Sequence, residues 1–175
     1  MFYFEDILPP EQIAYYRNIH EICTTPQAVG EVFTDPFEVV PLVEERLIDF
    51  IRCRVAATGG ITAIKKLATL CGIFGVKTAF QEGGENDPIN QIASYHVDIS
   101  NSAFGNQEEN HFPPVVHEMF PGIGEIRKGC LYDSDKPGLG VDLNEELAAK
   151  NPLGSVSDGG AYPTGRTIDD TVVKP

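Results

Sequence analysis

The sequence predicts an α/β fold in which short strands alternate with helices in successive βα units, followed by a long glycine- and proline-rich tail. Three observations carry this expectation. Apolar, β-rich runs recur at 2–7, 28–33, 48–55, 76–80 and 103–107, about 25 residues apart. Helical periodicity or helix-start signals fill the intervals. From His111 onward the chain holds 7 of its 13 prolines and 9 of its 17 glycines, a composition unsuited to a second packed core. The strand spacing implies a parallel sheet and fits both an eight-stranded βα barrel and a doubly wound sheet.

Each element has its own local reason. Phe2-Tyr3-Phe4 opens the first strand, and Pro10-Glu11-Gln12 then starts a helix whose Ile13, Tyr16 and Ile19 fall three apart. The second strand, 28–33, carries Glu31. Pro41-Leu42-Val43-Glu44-Glu45 begins a shorter helix before the third strand at 48–55. Thr62 to Ala68 leads to Cys71 and Gly72, a helix with a glycine near its end. After the fourth strand at 76–80, a helix from Pro88 to Asp98 precedes the fifth strand at 103–107. In the tail only 144–150 has a convincing helical pattern. The expected division is residues 1–110 as the βα portion and 111–175 as an extension that wraps over a neighbouring surface.

Composition narrows the function classes. With 26 acidic and 13 basic side chains the net charge is −13, which argues against nucleic acid and against an anionic membrane surface as partners. No apolar run approaches the roughly 20 residues of a membrane helix. The N-terminus, Met1-Phe2-Tyr3-Phe4-Glu5-Asp6, has no signal-peptide pattern. Cys23, Cys53, Cys71 and Cys130 are far apart with no paired spacing, which reads as reduced thiols in a cytoplasmic protein rather than a zinc site.

Chemistry-bearing residues recur where each predicted strand ends. Glu5 and Asp6 end the first, Glu31 the second and Arg52 the third. Gln81, Glu82 and Glu85 follow the fourth, and Glu108 and Glu109 the fifth. In a parallel βα sheet these ends share one rim, where such folds place their sites. A single carboxylate after a strand is usually the solvated start of a loop; a series of them on one rim repels unless a cation or an arginine neutralises it. An oxygen-only donor set suits Mg²⁺. Arg52 is then a candidate bidentate partner for a substrate carboxylate or hydroxyl pair. His20 and His96 fall in helical patterns, and His111 and His117 in the tail, where packing or surface roles are the simpler reading.

At these strand ends the sequence resembles the mannonate/galactonate dehydratase branch of the enolase superfamily, including members of the starvation-sensing type. The stretches that carry the resemblance begin with Phe4-Glu5-Asp6, Leu8-Pro9-Pro10-Glu11-Gln12 and Cys23-Thr24-Thr25-Pro26-Gln27-Ala28-Val29-Gly30-Glu31. They continue with Leu42-Val43-Glu44-Glu45-Arg46 through Arg52, Gly59-Gly60-Ile61-Thr62, Phe104-Gly105 with Gln107-Glu108, and Lys136-Pro137-Gly138-Leu139-Gly140. The resemblance implies the C-terminal part, about five strands, of a modified TIM barrel. It implies Mg²⁺ as cofactor, with Glu5 and Glu31 as two of its ligands, and substrate contacts from Glu31, Arg52, Gln81, Glu85 and Glu108. The third ligand and the groups that transfer protons are expected before Met1, so this chain is expected to hold no catalytic acid or base and to be inactive alone.

The activity implied is dehydration of a sugar acid, such as mannonate, gluconate or galactonate, to a 2-keto-3-deoxy acid by loss of the α-proton and then the β-hydroxyl. The partner is thus a small acid sugar, and the full-length form is expected to be a homo-oligomer. Many family members read His-Gly-Pro-Gly-Asp where this chain reads Gln81-Glu82-Gly83-Gly84-Glu85. An amide cannot carry a proton as an imidazole does. That departure supports an alternative reading, a sugar-acid-binding or regulatory member without turnover. A truncated gene product is a third.

Overall fold

The computed structural model describes residues 1–81, 86–133, 135–152, 165–166 and 172–173. Four parallel strands, β1 (Phe4–Glu5), β2 (Gln27–Val29), β3 (Phe50–Ile51) and β4 (Lys77–Thr78), pair in chain order. The register runs Glu5↔Ala28, Val29↔Ile51 and Ile51↔Thr78, so the strand ends line up along one rim.

A 3-10 turn over Pro10–Tyr15 leads into α1 (Tyr16–Ile22), followed by α2 (Pro36–Glu44), α3 (Ile61–Phe74) and α4 (Pro88–Ile99). The core lies between sheet and helices. Tyr16, Leu42, Val43, Ile64 and Cys71 from the helical layer meet Val29, Ile51, Cys53 and Phe80 from the strands and their ends.

Several expectations change in detail. Hydrogen-bonded strands are two or three residues long because an apolar run records burial rather than pairing: Ile48, Cys53 and Val55 are buried on either side of β3 without joining its ladder. The run at 103–107 contributes one parallel bridge, Thr78↔Phe104, instead of a fifth strand. There Gly105 is pressed so close that a Cβ would stand 2.9 Å from the Thr78 carbonyl oxygen.

Helix α2 starts at Pro36, ahead of the expected Pro41, because Asp35 caps it by accepting from Phe37 N at 2.9 Å. Helix α3 runs past Gly72 to Gly75, which ends it at φ 80°. The tail holds more structure than the single expected helix. Besides α6 (Glu145–Lys150), it contains α5 (Pro114–Met119) and an antiparallel hairpin of β5 (Glu125–Arg127) and β6 (Cys130–Tyr132). A last short pair, β7 (Gly165–Arg166) and β8 (Val172–Val173), is antiparallel. The hairpin turns at Lys128-Gly129, both with positive φ, a local signal that composition alone conceals. Among the described residues no helix is long and apolar enough to cross a membrane.

Candidate functional site

The rim geometry starts at two backbone positions. Asp6 follows β1 with φ 38°, a left-handed conformation that a short polar residue tolerates and that turns the chain sharply after Glu5. Gly30 follows β2 with φ 137°, and a Cβ there would stand 3.0 Å from both Arg52 N and Cys53 N. Only glycine lets the end of β2 lie this close against the segment leaving β3. Gly30 N donates to Asp6 Oδ1 at 3.0 Å, so the ends of the first two strands are joined directly.

This backbone brings three carboxylates together. Glu5, Asp6 and Glu31 each offer an oxygen, all within 4.8 Å of one another. The second Asp6 oxygen, Oδ2, is buried with no hydrogen-bond partner among the described residues. Burial, reinforced by Glu5 and Glu31, holds the Asp6 carboxyl above the usual carboxylate range despite the bond from Gly30. An all-oxygen, charge-crowded cluster with an orphaned buried acceptor fits a hard divalent cation such as Mg²⁺.

Two arginines from the segment after β3 balance the cluster. Arg52, only 2% exposed, donates from Nε to Glu5 Oε1 at 2.7 Å and from Nη2 to Glu108 Oε2 at 2.7 Å. Its Nη1 donates to the Tyr3 hydroxyl at 3.0 Å and to the Ala79 carbonyl at 3.3 Å. Burial works against the guanidinium charge, but Tyr3, Glu5 and Glu108 outweigh it and raise its pKa above the ordinary value. Two residues on, Arg54 Nη2 donates to Glu31 Oε1 at 2.7 Å.

Glu5, Glu31, Arg52 and Glu108 therefore come together as one network. Glu108 is steadied by its own N–H donating to the Phe80 carbonyl at 3.0 Å. Gln81 is 7% exposed just beyond β4, and its side-chain oxygen is buried without a donor among the described residues. Glu85 lies outside the described residues. Arg52 spends at least four hydrogen bonds within the protein, more than expected for a side chain reserved for substrate.

A family model described as enolase C-terminal domain-like matches residues 1–147. The chain belongs to that enolase-type family. Its fold is accordingly the C-terminal portion of an enolase-superfamily barrel. It is 48% identical over 179 residues to a D-galactonate dehydratase family member of Paenibacillus sp. strain JDR-2, covering all of this chain and 44% of that protein. It is 41% identical over 152 residues to a D-mannonate dehydratase of Caulobacter vibrioides, covering 87% of this chain and 38% of that one. The crystal structure of an enolase from Pantoea ananatis with bound D-gluconate and Mg superposes with a TM-score of 0.88 at 40% identity, over the whole chain and 42% of its counterpart. This enolase-type chain thus spans less than half the length of the relatives it matches.

Two residues of the rim, Tyr3 and Arg54, were not singled out from sequence, and two more, Asp6 and Glu109, were named there only as strand-end carboxylates. Asp6 was visible only as a strand-end carboxylate beside Glu5. Tyr3 and Arg54 gave weak signals: Tyr3 reads as a strand aromatic, while Arg54 shares a face with Arg52 on an extended segment. The excess of rim carboxylates called for a cation or an arginine, and the sequence reading assigned that task to Mg²⁺ and Arg52 alone. Glu109 was read together with Glu108, yet its surroundings differ. Both its oxygens are buried with no hydrogen bond of normal geometry among the described residues, and burial, opposed by the neighbouring Gln91 and helped by Asp98, raises its pKa to about 8.

Proposed function

We propose that this chain supplies the Mg²⁺ and substrate-carboxylate side of an acid-sugar dehydratase site, acting on a six-carbon sugar acid such as gluconate, galactonate or mannonate. The observation that carries the reading is the carboxylate cluster of Glu5, Asp6 and Glu31, braced by two arginines on the rim of a parallel βα sheet. In this reading Glu5 and Glu31 hold the ion, and Asp6 adds charge beside them. When bound, the ion polarises the substrate carboxylate and stabilises the negative charge that develops as the α-proton leaves.

The chain's own residues do the positioning. Arg52 ties Glu5 to Glu108, so two strand ends hold their carboxylates in fixed directions before substrate arrives. Glu31 and Glu108 accept from substrate hydroxyls, and the Gln81 amide can donate and accept at the distal part of the sugar. The resemblance assigns Glu85 a further substrate contact. Residues 1–110 act as the barrel portion and 111–175 as an extension over it, a division supported by His96 Nε2 on α4 meeting the Leu139 carbonyl at 3.1 Å.

Calorimetric titration with Mg²⁺ tests the reading. Weak binding, abolished by Glu31→Gln and by Glu5→Gln, is expected; heat that survives both substitutions refutes the site. A second reading, sugar-acid binding without turnover, is favoured by one feature: buried Gln81 cannot shuttle a proton. A keto-acid end-point assay over a panel of acid sugars, run with a full-length version, separates the two. Binding of gluconate with no 2-keto-3-deoxy acid formed supports the second reading.

A further inference from the structure

We propose that Arg54 is a positioning residue of this centre, a resident counter-cation that holds Glu31 in the metal-free chain and competes with the ion for it. The inference rests on the metal reading of Glu5, Asp6 and Glu31 given above.

The geometry separates the two arginines by task. Arg52 engages Glu5 and Glu108, and neither of these bonds reaches Glu31. Glu31 is held by Arg54 instead, across 2.7 Å, with the two side chains only 14% and 23% exposed. Such a pair is far less screened than one on an open surface. Its position is imposed by the backbone. Gly30 lets the segment after β3 lie against the end of β2, and Cys53 turns into the core, so Arg52 and Arg54 both face the rim.

An ion held by a Glu31 oxygen sits about 2.1 Å from it. If Arg54 stayed on that same oxygen, its guanidinium would stand about 5 Å from a doubly charged cation. Even in a solvent-like dielectric this repulsion lowers affinity roughly tenfold. A bystander ion pair behaves differently: its removal weakens the fold and leaves metal affinity unchanged or lower. A competing counter-cation gives effects of opposite sign, a less stable metal-free chain that binds the ion more tightly.

The experiment titrates Mg²⁺ alone into wild type, Arg54→Gln, Arg54→Lys and Glu31→Gln by calorimetry, with thermal melts in parallel. Arg54→Gln is expected to bind Mg²⁺ about tenfold more tightly, to melt lower without Mg²⁺ and to gain more from it. Arg54→Lys keeps the charge and stays near wild type. On wild type itself, the Arg54 Nε–H resonance is expected to shift as Mg²⁺ is added, a reading that holds even where Arg54→Gln does not fold. Unchanged or weaker binding in Arg54→Gln, or an unmoved resonance while Mg²⁺ binds, overturns the role of Arg54; loss of that binding in Glu31→Gln leaves the metal reading intact. Absence of Mg²⁺ binding in both wild type and Arg54→Gln overturns the two together.

Discussion

Replacing Asp98 by Asn should remove a pH dependence built into the fold. Asp98 lies near the end of α4, fully buried, and accepts from Thr78 Oγ1 at 2.5 Å, while its Oδ2 has no partner among the described residues. Burial pushes its carboxyl from 3.8 up to about 7, against the smaller opposing effect of the Thr78 bond. The sign follows from proton binding. Between these two values the folded chain keeps the proton that the unfolded chain releases. The contribution is therefore complete below about pH 4 and is lost as pH rises towards 7. Three pH units at about 1.4 kcal/mol each amount to about 4 kcal/mol. Asn keeps an oxygen for Thr78 but cannot ionise. Urea unfolding of both chains from pH 4 to pH 8 reads the effect: variant-minus-wild-type stability should climb by about 4 kcal/mol between pH 4 and 7 and level off above. The difference between chains cancels titrations they share. A difference flat to within about 1 kcal/mol over that range refutes the assignment of a buried, neutral Asp98.

Two further perturbations probe the rim. Arg52→Met keeps an apolar stem but leaves Glu5, Glu108 and the Ala79 carbonyl without their donor; since both glutamates are partly exposed, a loss of about 2 kcal/mol is expected by urea unfolding, below the full cost of breaking a buried pair. Gly30→Ala forces a Cβ to 3.0 Å from two backbone nitrogens at φ 137°, and should cost at least about 2 kcal/mol and weaken Mg²⁺ binding by displacing Glu31; a loss under about 0.5 kcal/mol speaks against the enforced approach of β2 and β3.

The rim was legible in the sequence to the extent that βα periodicity determines it. Once strands and helices alternate, parallel pairing sends every strand end to the same side, so Glu5, Glu31 and Arg52 share a rim whatever the loops do. Glu108 follows because Phe104 still bridges to Thr78, although the run around it forms no strand. Element edges were less legible. Apolar runs mark burial, and buried residues such as Cys53 and Val55 continue past the ladder into the loop. The tail hairpin was hidden because its few residues rely on positive-φ turns and on packing rather than on a long alternating pattern.

What the sequence determined by itself is thus the class of fold, a resemblance to an enolase-type family and an acidic rim in need of a cation. The tertiary structure alone decided the pairing: Arg52 with Glu5 and Glu108, 47 and 56 residues away, and Arg54 with Glu31, 23 residues away. It also decided that Asp6 turns back to meet Gly30. The reason is physical. Periodicity specifies which side of a sheet a residue faces, a property local to its own strand. Which guanidinium meets which carboxylate depends on ångström-scale separations between neighbouring strand ends, and these are set by lateral strand order and by close backbone approaches such as Gly30 against Arg52 and Cys53.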